Sequence, residues 1–117
     1  MSIMITGDTG FIGSHLARRL VGEDREVVLF DIAPSCKLID DIKDEVRIVR
    51  GDLTVWTDVL DSVKKHRVQD IFHLGAVLSA AAEASPMTSF GVNFIGTLNI
   101  LETARILGLG KVLYSSS

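Results

Sequence analysis

Two periods of apolar residues alternate along this chain, and the switches between them mark out its elements. The opening SIMIT, Ser2 to Thr6, is a short apolar and β-branched run closed by Gly7, which predicts a strand buried on both faces. From Phe11 the period becomes helical: Ile12, Leu16 and Leu20 recur with Arg18, Arg19 and Glu23 between them, and Gly22 sits where the helix should stop. EVVLFD, Glu26 to Asp31, predicts a second buried strand with an acid at its carboxyl end, followed by a loop through Pro34 and a short helix near Lys37 to Ile42. VRIVRGDL, Val46 to Leu53, reads as a third strand, Val55, Val59 and Val63 as a helix, and VQDIFHLGA, Val68 to Ala76, as a fourth strand running into a small-residue loop. Ser85 and Pro86 form a good helix start, serine as N-cap and proline first in the helix. The segment from there to Leu107 is apolar enough to be largely buried, Gly108 ends it, and KVLYS is a fifth strand.

Strands alternating with helices in units of about 30 residues predict parallel pairing through right-handed crossovers. The expected fold class is α/β: a three-layer, Rossmann-type parallel sheet of strand order 3-2-1-4-5. With 117 residues, 47% of them apolar, the chain is one domain, residues 1–117, with a modest core. A net charge of −3 gives no reason to expect a nucleic acid or an anionic membrane as partner. Cys36 is the only cysteine, which excludes an internal disulfide and a CxxC site and fits a reduced, cytoplasmic setting. No apolar run approaches the roughly 20 residues of a membrane span, and Asp8 interrupts the first apolar stretch before it could serve as a signal peptide.

The candidate chemistry begins at TGDTGFIG, Thr6 to Gly13, between the first strand and the first helix. Gly7 permits a tight turn, Gly10 lets backbone approach a pyrophosphate, and Gly13 lets helix and strand pack, so that free amides at the helix start meet phosphate. The spacing is GxxGxxG rather than GxGxxG, and a purely structural turn is the alternative. Asp31 ends the second strand roughly 20 residues past the glycines, where a carboxylate accepts hydrogen bonds from the ribose of an adenine nucleotide and repels a 2′-phosphate. NAD is therefore expected over NADP. The alternative for Asp31 is a cap on the loop that follows it.

With these residues in place, the chain resembles the first half of an extended short-chain dehydrogenase/reductase, the group of NAD-dependent epimerases and dehydratases. TGDTGFIG resembles its phosphate loop, VVLFD its ribose-binding strand, GDL at Gly51 to Leu53 its adenine-contacting turn, and HLGA at His73 to Ala76 its usual H-L-A-A, with Gly75 where alanine is common. VNFIGTLNILETAR, Val92 to Arg105, is similar to the family's V-N-x-x-G-T-x-N-x-L-E-A-A-R helix, and YSSS to its serine-bearing fifth strand. The resemblance implies that the amides of Phe11 and Ile12 lie on the pyrophosphate, Asp31 on the ribose, Asp52 and Leu53 beside adenine, and the backbone from Leu74 through Gly75 to Ala76 along the nicotinamide half. It implies two catalytic residues: Asn93, which supports a catalytic lysine through a water, and Ser117, which hydrogen-bonds the reacting carbonyl or hydroxyl. LSAAAEASP, Leu78 to Pro86, resembles a run in the epimerase-like L-threonine dehydrogenases, where the residue matching Ser79 contacts substrate.

Each of these residues has a plainer reading: Asp52 as a helix N-cap, Asn93 as a hydrogen-bonder within a helix, Ser117 as a strand-end residue. His73 invites a general-base role beside the cofactor, against packing at a strand end. His66 suits the carboxyl end of a helix, and His15 an exposed helix face. Chemistry in this family also needs a tyrosine and, four residues on, a lysine that lowers the tyrosine's pKa. Tyr114 is the only tyrosine and no YxxxK is present, so the expectation is an incomplete domain, cut after strand five and inactive alone. Its parent would act by hydride transfer on a nucleotide sugar or small hydroxy substrate. The alternative is a non-catalytic NAD-binding sensor or docking module. No metal is expected, and self-association is, through the edge of the fifth strand or the apolar helix from Ser85.

Overall fold

The computed structural model of the chain describes residues 1–7, 11–34, 37–74 and 85–114. Five strands, β1 (Ser2–Thr6), β2 (Glu26–Asp31), β3 (Val46–Arg50), β4 (Val68–His73) and β5 (Lys111–Tyr114), form one sheet of order β3-β2-β1-β4-β5. Every pairing is parallel, as the alternation of strands and helices predicts. The register aligns the carboxyl ends: Thr6 lies opposite both Phe30 and His73, Asp31 opposite Arg50, and His73 opposite Tyr114.

Successive side chains of a strand point to opposite faces, so a strand apolar at every position feeds two cores. Ile3, Ile5, Val27 and Leu29 pack on one face with Ala17 and Leu20 of α1 (Phe11–Gly22) and with Ile39 and Ile42. Met4, Val28, Phe30 and Ile71 pack on the other with Val59 and Val63 of α2 (Trp56–Lys65), with Leu53 and with Ile100. Full burial of one such side chain contributes about 1.5–3 kcal/mol. These two clusters are the reason the molecule has three layers.

The last helical stretch runs from α3 (Pro86–Phe90) through a π-helical segment, Gly91–Gly96, into α4 (Thr97–Leu107). Ser85 occupies the N-cap position with proline next, as predicted, although its hydroxyl donates to Thr88 Oγ1 and its oxygen accepts no capping bond from a backbone amide. The expectation that this stretch is largely buried fails. Ile100, Thr103 and Gly96 face the interior, while Met87, Phe90, Phe94, Leu98 and Leu101 are exposed. Apolar residues surround the helix, and the sheet covers only one side of it.

One smaller expectation also differs. Residues 37–42 form turns, with a single 3-10 turn at Lys43–Glu45 after them. Arg18 holds this region through a two-pronged bond to Asp41, both N–O distances 2.8 Å, which suits a turn seating Ile39 and Ile42 in the core. α1 ends at Gly22, as expected, and the left-handed residue beyond it is Asp24, φ 59°, where the Arg25 N–H reaches back to the Leu20 carbonyl. His66 takes the C-cap position of α2, as expected, and burial, with Lys65 and Arg47 nearby, lowers its pKa. No helix among the described residues is long and apolar enough to cross a membrane.

Candidate functional site

The chain steps from β1 to β2 to β3 on one side of the sheet and then returns to place β4 on the other side of β1. Connections therefore leave the carboxyl ends of β1 and β4 in opposite directions, which opens a crevice between them. Gly7 begins the turn above β1 at φ +65°, a left-handed conformation that favours glycine, and its N–H donates to the Phe30 carbonyl at 3.0 Å. α1 follows, with Gly13 and Ser14 buried against the sheet and Ile12 exposed. The start of this helix, with the positive end of its dipole, is at this same carboxyl edge, where it favours an anion.

Asp31 is half-buried beside that turn, and its Oδ1 accepts the Ala33 amide at 3.1 Å, so the loop-capping role is realised. Asp52, beyond β3, accepts the Thr54 amide at 2.9 Å and the Thr54 hydroxyl at 2.7 Å through Oδ1, while its own N–H donates to Asp58 at 2.9 Å. It builds a turn ahead of α2; the N-cap position itself belongs to Val55. Leu53 sends its side chain into the core, and its carbonyl accepts the Asn99 side-chain amide at 2.8 Å. A β-carbon on Gly96 would come within 2.9 Å of the Leu53 side chain, so the end of the π-helical segment packs on this turn through the glycine backbone.

His73 ends β4 with 1% of its surface exposed. Its Nδ1 lies 2.7 Å from Thr6 Oγ1 and its Nε2 3.0 Å from Thr97 Oγ1. Thr6 Oγ1 also accepts the Leu74 amide at 3.1 Å, and the Thr97 hydroxyl donates to the Asn93 carbonyl at 2.8 Å. Burial lowers the His73 pKa to about 4, and the Tyr114 ring packs with its centroid 5.5 Å away. The side-chain amide of Asn93 donates to Ser89 Oγ at 3.3 Å. With both nitrogens engaged, His73 is a bonded structural group and not a free base. A groove of about 1270 Å³ runs along β3, beside Asp44, Arg47, Lys65 and Arg67, and its lining includes none of the candidate site residues named above.

Comparison with known proteins then gives the lineage. Residues 3–117 match the NAD dependent epimerase/dehydratase family. The chain belongs to this family. It is 32% identical over 122 residues to the UDP-glucose 4-epimerase of Mycolicibacterium smegmatis, covering 100% of this chain and 39% of that protein. A solved structure of Thermus thermophilus UDP-glucose 4-epimerase in complex with NAD superposes with a TM-score of 0.89 at 30% identity, over 100% of this chain and 38% of that one. The L-threonine dehydrogenase of Clostridium difficile gives a TM-score of 0.87 at 31% identity, over 98% of this chain and 36% of that one. The chain thus spans under two-fifths of the length of these relatives.

For this epimerase/dehydratase domain, the structure brings Gly7, Ile12, Gly13, Asp31, Asp52 and Leu74 to the carboxyl edge of the sheet, with Leu53 turned inward and Asn93 in the π-helical segment. Gly10, Gly75, Ala76, Ser79 and Ser117 lie outside the described residues, as does the side chain of Phe11. The Leu74 amide is already taken by the carbonyl and hydroxyl of Thr6. Thr6, Thr97 and Asn99 were not singled out in the sequence. Thr97 and Asn99 stand inside the quoted VNFIGTLNILETAR run, and Thr6 opens the glycine motif, so the signal was present without a partner to interpret it.

Proposed function

We propose that this chain is the NAD-binding part of an epimerase/dehydratase-type oxidoreductase whose full-length form acts by hydride transfer on a nucleotide sugar or a small hydroxy substrate. The observation that carries this reading is the adjacency of the Gly7 turn and Asp31 at the strand-order switch, with Gly7 N–H bonded to the carbonyl of the residue before Asp31. The cofactor fits what is there: backbone amides at a helix start for the pyrophosphate, and a half-buried carboxylate at the next strand end for the ribose. In this reading the amides of Phe11 and Ile12 hold the phosphates, Asp31 the ribose and Asp52 with Leu53 the adenine. The backbone from Leu74 to Ala76 borders the nicotinamide, which when bound accepts and returns the hydride.

Asn93 and Ser117 take the catalytic roles of the family pattern, and Ser79 a substrate contact. Likeness to both a UDP-glucose epimerase and an L-threonine dehydrogenase supports the two substrate classes together. The carboxylate at Asp31 favours NAD over NADP, and a single cysteine suits a cytoplasmic setting. The exposed apolar stripe from Met87 to Leu101 supports self-association through that helix face. Calorimetric titration of the chain with each nucleotide tests the reading: saturable heat with NAD and weaker binding of NADP is expected. Equal binding of both, or none, would count against it.

A further inference from the structure

The bonds around His73 have a direction imposed by their two ends. A backbone N–H can only donate, so Leu74 donates to Thr6 Oγ1; a carbonyl can only accept, so Asn93 receives the Thr97 hydroxyl proton. With its own hydrogen committed there, Thr97 Oγ1 meets Nε2 of His73 as an acceptor, and Nε2 must carry hydrogen. At the other ring nitrogen, a neutral imidazole leaves Nδ1 as acceptor for the Thr6 hydroxyl at 2.7 Å. Burial keeps the ring neutral near pH 7, since it lowers the pKa to about 4.

We infer that His73 is a positioning residue, a neutral imidazole in the Nε2–H tautomer that fixes the glycine turn above β1 relative to the π-helical turn bearing Asn93. Thr6 directly precedes Gly7, and Thr97 directly follows the π-helical segment, so the rigid ring spans the two places where the proposed function puts phosphate and the catalytic asparagine. The segments are 67 and 24 residues from His73 in sequence, and the one ring bonds to both. The inference builds on the proposed roles of Gly7 and Asn93, but the bonding pattern can be tested with no nucleotide present.

The experiment is nitrogen-15 NMR of the labelled chain. At neutral pH without nucleotide, His73 Nε2 should resonate as a protonated, pyrrole-type nitrogen and Nδ1 as a pyridine-type acceptor. Thr97→Val keeps the shape and removes the hydroxyl; it should speed solvent exchange of the Nε2 proton and shift the Asn93 amide. His73→Gln places an amide N–H near the Nε2 position and should leave Asn93 near its native shift while moving Gly7; His73→Asn, which offers an acceptor near Nδ1, should do the reverse. An Nδ1–H tautomer, an imidazolium at neutral pH, or an Asn93 amide indifferent to Thr97→Val would overturn the inference. Failure of NAD to bind a chain with the expected tautomer would instead overturn the functional reading and leave the bonding intact.

Discussion

A β-carbon on Gly51 would lie 2.5 Å from the Cε2 and Cζ atoms of the Phe30 ring, which is itself only 1% exposed. The turn after β3 therefore packs on Phe30 through the glycine backbone. Because that ring is wedged into a full core, Gly51→Ala should destabilise the domain by about 1–3 kcal/mol. Gly22→Ala is the control: nothing stands within 4 Å of the added carbon at that helical residue, and stability should rise by up to about 1 kcal/mol. Urea denaturation of the two variants checks both signs.

His73 makes stability depend on pH. Its folded pKa, about 4, is below the ordinary 6.5, so between these values the unfolded chain binds the extra proton. The stabilisation from keeping the ring neutral is complete above about pH 6.5 and is lost as pH falls through about 4, by roughly 3 kcal/mol in all. Denaturation midpoints from pH 7 to pH 4 should fall accordingly, and a variant with Gln at position 73 should show a flatter profile over the same range.

Thr103 is fully buried in α4, and its hydroxyl has no hydrogen-bond partner among the described residues. Thr103→Val keeps the shape and removes an unsatisfied polar atom, so it should stabilise the domain by about 1 kcal/mol, read as a higher urea midpoint at an unchanged slope.

On the outer face of the helix, the rings of Phe90 and Phe94 stack 5.1 Å apart, each more than half exposed. If copies associate through this face, Phe94→Glu should weaken association by roughly tenfold or more, since burying one large apolar side chain is worth about 1.5–3 kcal/mol. Sedimentation equilibrium of wild type and variant measures this directly; identical monomeric behaviour of the two would remove the helix face from consideration.

The sheet was legible in the sequence because its central strands β1 and β2 are apolar on both faces. Met4 beside Ile5, and Val28 beside Leu29, each serve opposite cores, and only a covered parallel sheet demands that. The glycine motif and Asp31 were legible because their chemistry is local to one turn and one strand end. What escaped was long-range. Nothing near Thr6 in the chain announces His73, and nothing near Leu53 announces Asn99; these bonds exist only once the sheet order is formed. The burial of the helix from Pro86 was overestimated because apolar content records how many side chains could be covered, not which of them the sheet reaches. Gly22 marked the end of α1 correctly, while the left-handed residue two positions on, Asp24, depends on the returning amide of Arg25 meeting the Leu20 carbonyl.

If Asp31 and the Gly7 turn form one nucleotide site, Trp56, at the start of α2 just past Asp52, offers a fluorescent reporter close by in the chain. Titrating wild type and Asp31→Ala with NAD and NADP is the most direct test. The account predicts saturable quenching by NAD, weaker quenching by NADP, and a loss of roughly tenfold to a hundredfold in NAD affinity in the variant, as expected for hydrogen bonds to a charged group. Equal affinity of wild type and Asp31→Ala for NAD would contradict it.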